Sequence, residues 1–241
     1  QEAPEDRRRF MNISLSQMSR TYFYALARYN KILAQRNVLL KNPNESVIYE
    51  TLPVWDEQLA RQAAVIIKAR NEFLAELSPV AEEKHALLSG GKETLKMKTE
   101  SGYYGELDEI AYAVKEDLKT AIPKDIRLGF TSIGPHRDDI KFTISGVDAR
   151  IYGSQGQQRT VALALKLAET EVFYAKFKEY PTLILDDVLS ELDKTRQKKL
   201  LSAVEKLQTV FTATELPRGV FGLSKNYNRI EIENGKIKRK K

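Results

Sequence analysis

Leu15, Met18, Tyr22, Leu26, Tyr29 and Leu33 recur at steps of three and four residues, the interval that gathers side chains onto one stripe of an α-helix. The chain is therefore expected to open with one long amphipathic helix. The Asn and Pro of residues 41–46, "KNPNES", make a turn, and Leu59, Ala63, Ile66, Phe73 and Leu77 resume the helical interval over about residues 53–88. Two long antiparallel helices are implied, the second stopped by "SGG" at residues 89–91. After that stop, "ETLKMKTES" alternates like a short strand, and "GELDEIAYAVKEDLKTAI" returns to helical interval before Pro123. "RLGFTSIGPHRDDIKFTISG" reads as strand on both sides of a polar "GPHRDD" insert. From Ile140 onward the order becomes strand, glycine-containing loop, helix, apolar strand, helix, strand, the alternation of an α/β sheet. The expected organisation is a mostly helical arm over residues 1–125 and part of an α/β domain over residues 126–241, without internal repeats.

Composition narrows the chemistry. The 241 residues suffice for one large or two small domains, enough to fold without disulfides or metals. With no cysteine, a disulfide framework, a cysteine-ligated zinc, an iron-sulfur cluster and a thiol nucleophile are all excluded. No apolar run approaches the roughly 20 residues of a membrane span and no charged-then-apolar leader opens the chain, so a soluble, cytoplasmic protein with no membrane partner is expected. Lysine and arginine outnumber aspartate and glutamate, 39 to 33, a mild excess that suits nucleic acid or another polyanion. The cations gather at the ends: Arg7, Arg8 and Arg9 with Arg20, Arg28, Lys31 and Arg36, then "KIKRKK" at residues 236–241, which reads as a solvated terminus. Aromatic residues interleave with arginine in the first helix, a pattern that suits base stacking but is met more simply by a core. The chain begins at Gln1, so an upstream segment is expected to be missing.

Two segments carry the sharper signals. In "PTLILDDVLSELD", Thr182, Leu183, Ile184 and Leu185 read as a parallel strand buried on both faces, with Asp186 and Asp187 at its carboxyl end. Open α/β sheets bind ligands at that end, so two carboxylates there suit a hydrated Mg²⁺ and an attacking water. The structural alternative makes Asp187 a helix cap or a surface residue. Ser190 to Asp193 have the Ser-x-x-acid spacing of a capping box, and the following strand, residues 209–214, ends in small polar groups at the same edge. In "YGSQGQQRT", residues 152–160, Gly153 and Gly156 permit close backbone approach and Ser154 offers a hydroxyl. A helix from about Gln157 aims its amino end at the same spot, although an ordinary serine cap explains this loop taken alone.

The order of that loop, one helix and an acid-tipped strand resembles the signature motif, Walker B strand and D-loop of ATP-binding-cassette ATPases, the group that includes the SMC chromosome-maintenance heads. "RRRFMN" at residues 7–12, "RLGFTSIGPHRDDI" at 127–140 and "LDDVLSELD" at 185–193 together resemble the RecF family of bacterial recombination and replication-repair ATPases. The likeness runs from Arg7 to at least Asp193. It implies the carboxyl-terminal part of an α/β ABC-type ATPase head joined to a mostly helical arm. Ser154, Gln155, Gly156, Gln157 and Gln158 would then be the signature loop, which in the family contacts ATP held by the opposite subunit. Asp186 would be the Mg²⁺-side aspartate and Asp187 would stand where most such enzymes carry the glutamate that polarises the attacking water. Ser190, Glu191, Leu192 and Asp193 would form the D-loop. Two positions depart from the pattern: Asn12 replaces a usual aspartate, and Thr214 stands where many cassette ATPases carry the switch histidine. The resemblance further implies ATP and Mg²⁺ as cofactors, an ATP-dependent homodimer, DNA as ligand (duplex or a single-strand/double-strand junction), and RecR and RecO as partners in loading the recombinase at single-strand gaps. Arg7, Arg8, Arg9 and Arg137 are the candidate DNA contacts.

A phosphate-cradling P-loop needs Gly, four residues, then Gly-Lys-Ser/Thr. Gly-Lys occurs only at Gly91-Lys92 and Gly235-Lys236, where Ala86 and Ile230 replace the first glycine and Glu93 and Ile237 replace the hydroxyl residue. In the family the P-loop lies upstream of the segment resembling "RRRF", so this chain by itself is expected to hydrolyse little or no ATP. Two other classes stay open at this stage. A metal-dependent nuclease would combine His136, Arg137, Asp138 and Asp139 with Asp186 and Asp187; a docking module would use the helical arm alone.

Overall fold

The computed structural model describes residues 3–215 and 227–238. Its first third departs from a single long helix. Helix α1 (Pro4–Met18) ends at Ser19, whose backbone is extended and whose hydroxyl accepts the Tyr22 N–H at 3.2 Å, and α2 (Arg20–Leu39) begins there. A serine at the joint offers the backbone a side-chain acceptor, and that cap divides an otherwise unbroken apolar stripe.

Helix α3 (Glu45–Ser89) starts eight residues before Pro53 and runs through both Pro53 and Pro79; α4 (Leu107–Leu128) likewise continues through Pro123. An interior proline frees the carbonyl four residues earlier. Here those residues, Tyr49, Ala75 and Lys119, and the prolines themselves all lie on exposed faces, so water satisfies what the helix cannot. The end of α3 follows the sequence: Gly90 takes the left-handed conformation at φ 81°. Contacts at both ends of the pair make α2 and α3 antiparallel, Arg36 meeting Asp56 at one end and Tyr22 meeting Arg70 at the other.

Strand β1 (Leu95–Thr99) forms as its alternation predicts, with Leu95 and not its neighbours buried. It pairs antiparallel with β2 (Ile140–Ile144), which pairs antiparallel with β3 (Val147–Asp148). The expected strand ahead of "GPHRDD" does not form, and β2 is not part of a parallel sheet. The α/β alternation starts later, after a short α5 (Ala149–Tyr152), with α6 (Gln155–Phe177), β4 (Leu183–Asp186), α7 (Lys194–Ala203) and β5 (Thr209–Thr212). Strands β4 and β5 are parallel in the register Leu183↔Thr209 to Asp186↔Thr212. Only one face of β4 is buried: Leu183 and Leu185 point inward, while Ile184 is 68% exposed. Strands β6 (Glu231–Glu233) and β7 (Lys236–Lys238) form a hairpin on Asn234-Gly235, both with positive φ as a two-residue turn requires. The basic terminus continues through residues 239–241, which lie outside the described residues.

Helix α6 is buried on two sides. Val161, Leu165, Ala168 and Val172 join the main core with α1 to α4, β1 and β2, whereas Leu163, Ala164 and Leu167 join a second core with Leu183, Leu185, Leu189, Leu192 and Leu200. Through α6 the helical part and the parallel strands share continuous packing.

Candidate functional site

The loop before α6 is built by internal hydrogen bonds. Ser154 caps the helix, its Oγ accepting the Gln157 N–H at 3.2 Å, while Gln157 Oε1 accepts the Ser154 N–H at 2.8 Å. This is a capping box in Ser-x-x-Gln form. Gln158 Nε2 donates to the carbonyls of Ala149 and Gly153, both at 3.1 Å, and ties α5 to the loop. A Cβ on Gly153 would lie 2.3 Å from the Ala149 carbonyl oxygen, so the turn admits no side chain there. Of the five signature positions, Gln157 and Gln158 therefore brace the loop from within. Ser154 and Gln155 face solvent, and the first N–H groups of α6, at Gln155 and Gly156, have no carbonyl partner within the helix. A serine hydroxyl beside two free amides at a helix amino end is suited to a phosphate oxygen. Alongside, a cavity of about 620 Å³ is lined in part by Lys141, Arg150, Gln155 and Arg159.

The acid pair sits on different backbone. Asp186 ends β4 and accepts a hydrogen bond from the Thr212 hydroxyl on β5. Asp187 has left the strand at φ 49°, with its N–H donating to Thr212 Oγ1 at 3.0 Å and to the Thr212 carbonyl at 3.1 Å. Both carboxylates are exposed, and Asp187 makes no cap hydrogen bond with its side chain. Thr212 thus orients the Asp186 carboxylate and fixes the Asp187 backbone; its place opposite Asp186 follows only from the parallel register, which the sequence does not reveal. A 3₁₀ turn (Val188–Glu191) follows, within which the Ser190 hydroxyl donates to the Asp187 carbonyl at 2.8 Å. Ser190 is therefore not the cap of α7. Asp193 is, its Oδ1 accepting the N–H groups of Thr195 and Arg196, and those bonds, the Arg196 one foremost, hold its carboxyl below the usual range. Thr214 lies exposed just beyond β5.

The two halves touch. Arg159 on α6 pairs with Glu191 at 2.9 Å, and Arg196 Nη1 lies 3.1 Å from where a Cβ on Gly156 would stand. The glycine of the signature leaves room for an α7 arginine.

"GPHRDD" is a buried junction and not an exposed polar loop. His136 Nδ1 lies 2.6 Å from the Tyr29 hydroxyl and Nε2 lies 2.9 Å from the Thr131 carbonyl, which assigns the proton to Nε2. Burial pushes this imidazole down to about 4. Asp138 faces Arg70 at 3.4 Å, yet burial pushes its carboxyl up to about 6. Burial also works against the Asp139 carboxylate, but Arg7, donating at 2.7 and 2.6 Å, holds it below the ordinary range. Among the described residues no group of three or more histidine, aspartate and glutamate side chains is placed to hold a metal ion. The nuclease arrangement is thus not assembled.

The same contacts revise the candidate DNA cations. Arg7 is buried in its ion pair and Arg8 donates to the Asp138 carbonyl at 2.9 Å, leaving Arg9 exposed and Arg137 exposed over the Phe130 ring at 4.6 Å. Asn12 accepts from Tyr22 at 2.7 Å and from Arg70 at 2.9 Å through its single amide oxygen, so the amide supplies both bonds that a carboxylate there would.

No family model matches the chain. It is 41% identical to a DNA replication and repair protein RecF of Ruminiclostridium cellulolyticum over 98% of its own length, and 44% identical to that of Lachnoclostridium phytofermentans over 95%. A RecF described as a recombination mediator protein of the RecFOR pathway, solved with ATPrS, superposes with a TM-score of 0.84 at 34% identity, covering 98% of this chain and 63% of that one. The corresponding RecF-ATP structure gives 0.77 at 35% identity. The chain spans 65% of the length of the first of these relatives. Among the described residues no helix is long and apolar enough to cross a membrane.

Proposed function

Because the chain belongs to the RecF family, with part of an ABC-type ATPase head joined to a helical arm, we propose that it serves in a DNA repair ATPase that dimerises on ATP and binds DNA. In this reading residues 1–125 are the arm and residues 126–241 the head. The observation that carries it is the outward Ser154 hydroxyl and two free α6 amides, tied through Arg159 and Glu191 to the segment that follows Asp186 and Asp187.

Ser154 and the first α6 amides suit a phosphate oxygen, and Asp186 offers one oriented carboxylate to a Mg²⁺ that ATP phosphates and water would otherwise ligate. Ser154 and the Gln155 and Gly156 amides would meet the terminal phosphate of ATP held by the opposite subunit, and Asp186, fixed by Thr212, would hold Mg²⁺ on its own side. Bound Mg²⁺ neutralises phosphate charge as it builds up. Asp187 orients the attacking water and accepts its proton. Glu191 and Asp193 hold the D-loop against the signature helix and α7. The P-loop lies outside this sequence, so the chain alone hydrolyses little or no ATP, while the longer protein is a slow, DNA-dependent ATPase. RecR and RecO are its partners in loading recombinase at single-strand gaps and stalled forks, within the SOS response.

For DNA, α2 offers a better face than α1. Its 20 residues contain no acid; Tyr22, Ala25, Tyr29 and Arg36 are buried, and Arg20, Phe23, Tyr24, Arg28 and Lys31 are exposed together on the opposite side. Exposed cations beside exposed aromatic rings suit a backbone and its unpaired bases.

The test is Ser154→Arg in a full-length protein carrying this sequence, read by light scattering with and without ATP. Loss of the ATP-dependent dimer is expected; an intact dimer would overturn the contact across subunits.

A further inference from the structure

The orientation of Gln157 is set from two sides, by the Ser154 N–H within the signature loop and by a carboxylate outside it. Its Nε2 donates to Glu93 Oε1 at 2.9 Å, while its Oε1 takes the Ser154 N–H. A carboxylate only accepts, so Glu93 must face the NH₂ end of the Gln157 amide, and the carbonyl end is left for Ser154. The reverse orientation would set two donors, the NH₂ and the Ser154 N–H, against each other and open the capping box.

Glu93 is itself confined. It follows the Gly90-Gly91 stop of α3, two residues before β1. Its Oε2 is buried without a hydrogen-bond partner, 3.8 Å from Nε2 of His85, a fully buried side chain with both ring nitrogens likewise unpartnered. With Oε2 enclosed against the last turn of α3 and Oε1 bonded to Gln157, the carboxylate keeps 21% of its side chain open to solvent. No part of this arrangement is needed for the turn at residues 90–91, which Gly90 closes through its own N–H to Ala86.

We propose that Glu93, backed by His85, is a positioning residue for the signature loop: it fixes the direction of the Gln157 amide and thereby the outward presentation of Ser154. The consequence for ATP contact rests on the function proposed above; the positioning itself does not.

The experiment is backbone amide hydrogen exchange, followed by NMR on this chain without nucleotide, at Ser154 and at the core amides of Ala164, Leu167 and Ile66. Glu93→Gln keeps a carbonyl acceptor and should leave Ser154 exchange within about twofold. Glu93→Ala should speed it by about tenfold, as loss of one bracing hydrogen bond implies. Glu93→Lys offers only donors, reverses the Gln157 amide and should speed it most. Core amides stay at their unaltered rates in all three. Unchanged Ser154 exchange in Glu93→Lys overturns the proposal, and so does a uniform rise across Ala164, Leu167 and Ile66, which marks general loosening. Because no nucleotide is present, Ser154→Arg can retain the ATP dimer, sinking the functional reading, while the graded Ser154 response still establishes the positioning.

Discussion

Arg36 Nη1 and Asp125 Oδ2 stand 2.7 Å apart with neither side chain exposed to solvent at all. Arg36 also meets Asp56 at 2.6 Å and Thr131 at 2.9 Å, so one cation joins α2, α3, α4 and the segment leading to "GPHRDD". Replacing Arg36 with Leu strands two buried carboxylates, and stability should fall by about 3–5 kcal/mol in urea unfolding. Arg61→Ala, at an exposed pair with Glu57, should leave the midpoint in place. Equal midpoints for both variants would show that the buried cluster contributes nothing.

His136 and Asp138 predict a pH profile. The His136 pKa lies low in the fold, about 4, so its contribution is present above the unfolded value near 6.5 and is lost as pH falls toward 4. The Asp138 pKa lies high, about 6, so its contribution is present below the unfolded value near 3.8 and is lost as pH rises toward 6. Between these limits the two oppose each other. Asp138→Asn removes one of them, and the variant should gain stability from pH 4 to 6.5 with a slope of up to about 1.4 kcal/mol per pH unit, steeper than the parent. Parallel pH profiles for variant and parent would contradict the assignment.

The exposed face of α2 predicts a salt dependence. Among the described residues Arg20, Arg28 and Lys31 make no ion pair with an acid. Arg28→Glu should weaken DNA binding and lower the slope of log affinity against log salt by about one. Phe23→Ala with Tyr24→Ala should cost single-stranded oligothymidylate about tenfold or more while sparing duplex. Binding isotherms that ignore all three substitutions would move the DNA elsewhere.

Thr212 predicts a metal effect. Thr212→Val removes the donor to Asp186 and the side-chain acceptor for the Asp187 N–H. In a full-length protein carrying this sequence, the Mg²⁺ concentration for half-maximal nucleotide binding should rise by about 10–100-fold, as loss of an outer-shell partner does elsewhere. An unchanged Mg²⁺ titration would exclude the threonine from the site.

Much of the helical part was legible because α2, α3 and α4 repeat their apolar residues at helical steps and Gly90 marks a stop. The break at Ser19 was not, since a single cap overrode a continuous stripe. Pro53 and Pro123 misled for a physical reason: whether a proline ends a helix depends on whether water reaches the carbonyl four residues back, a property of the tertiary fold. The candidate site was legible in the order of Ser154, Asp186 and Asp187. Its supports were not, because Glu93, Thr212 and Arg159 reach it from other elements. "GPHRDD" looked like a loop because its two aspartates find their arginine partners 68 and 132 residues away. The β6–β7 hairpin carries its own local signal, the Asn-Gly of a two-residue turn.

Helix α3 contributes Ile48 and Leu52 to one core, Leu59 through Ala81 to the largest, Leu74 to a third and Leu88 to the core beneath β4. At 1.5 Å per residue its 45 residues make a rod about 67 Å long. His85 and the Glu93 contact lie at one end of that rod. Held in four cores from Ile48 to Leu88, the rod sets a fixed span between the tip near Asn44 and the Glu93 contact with Gln157.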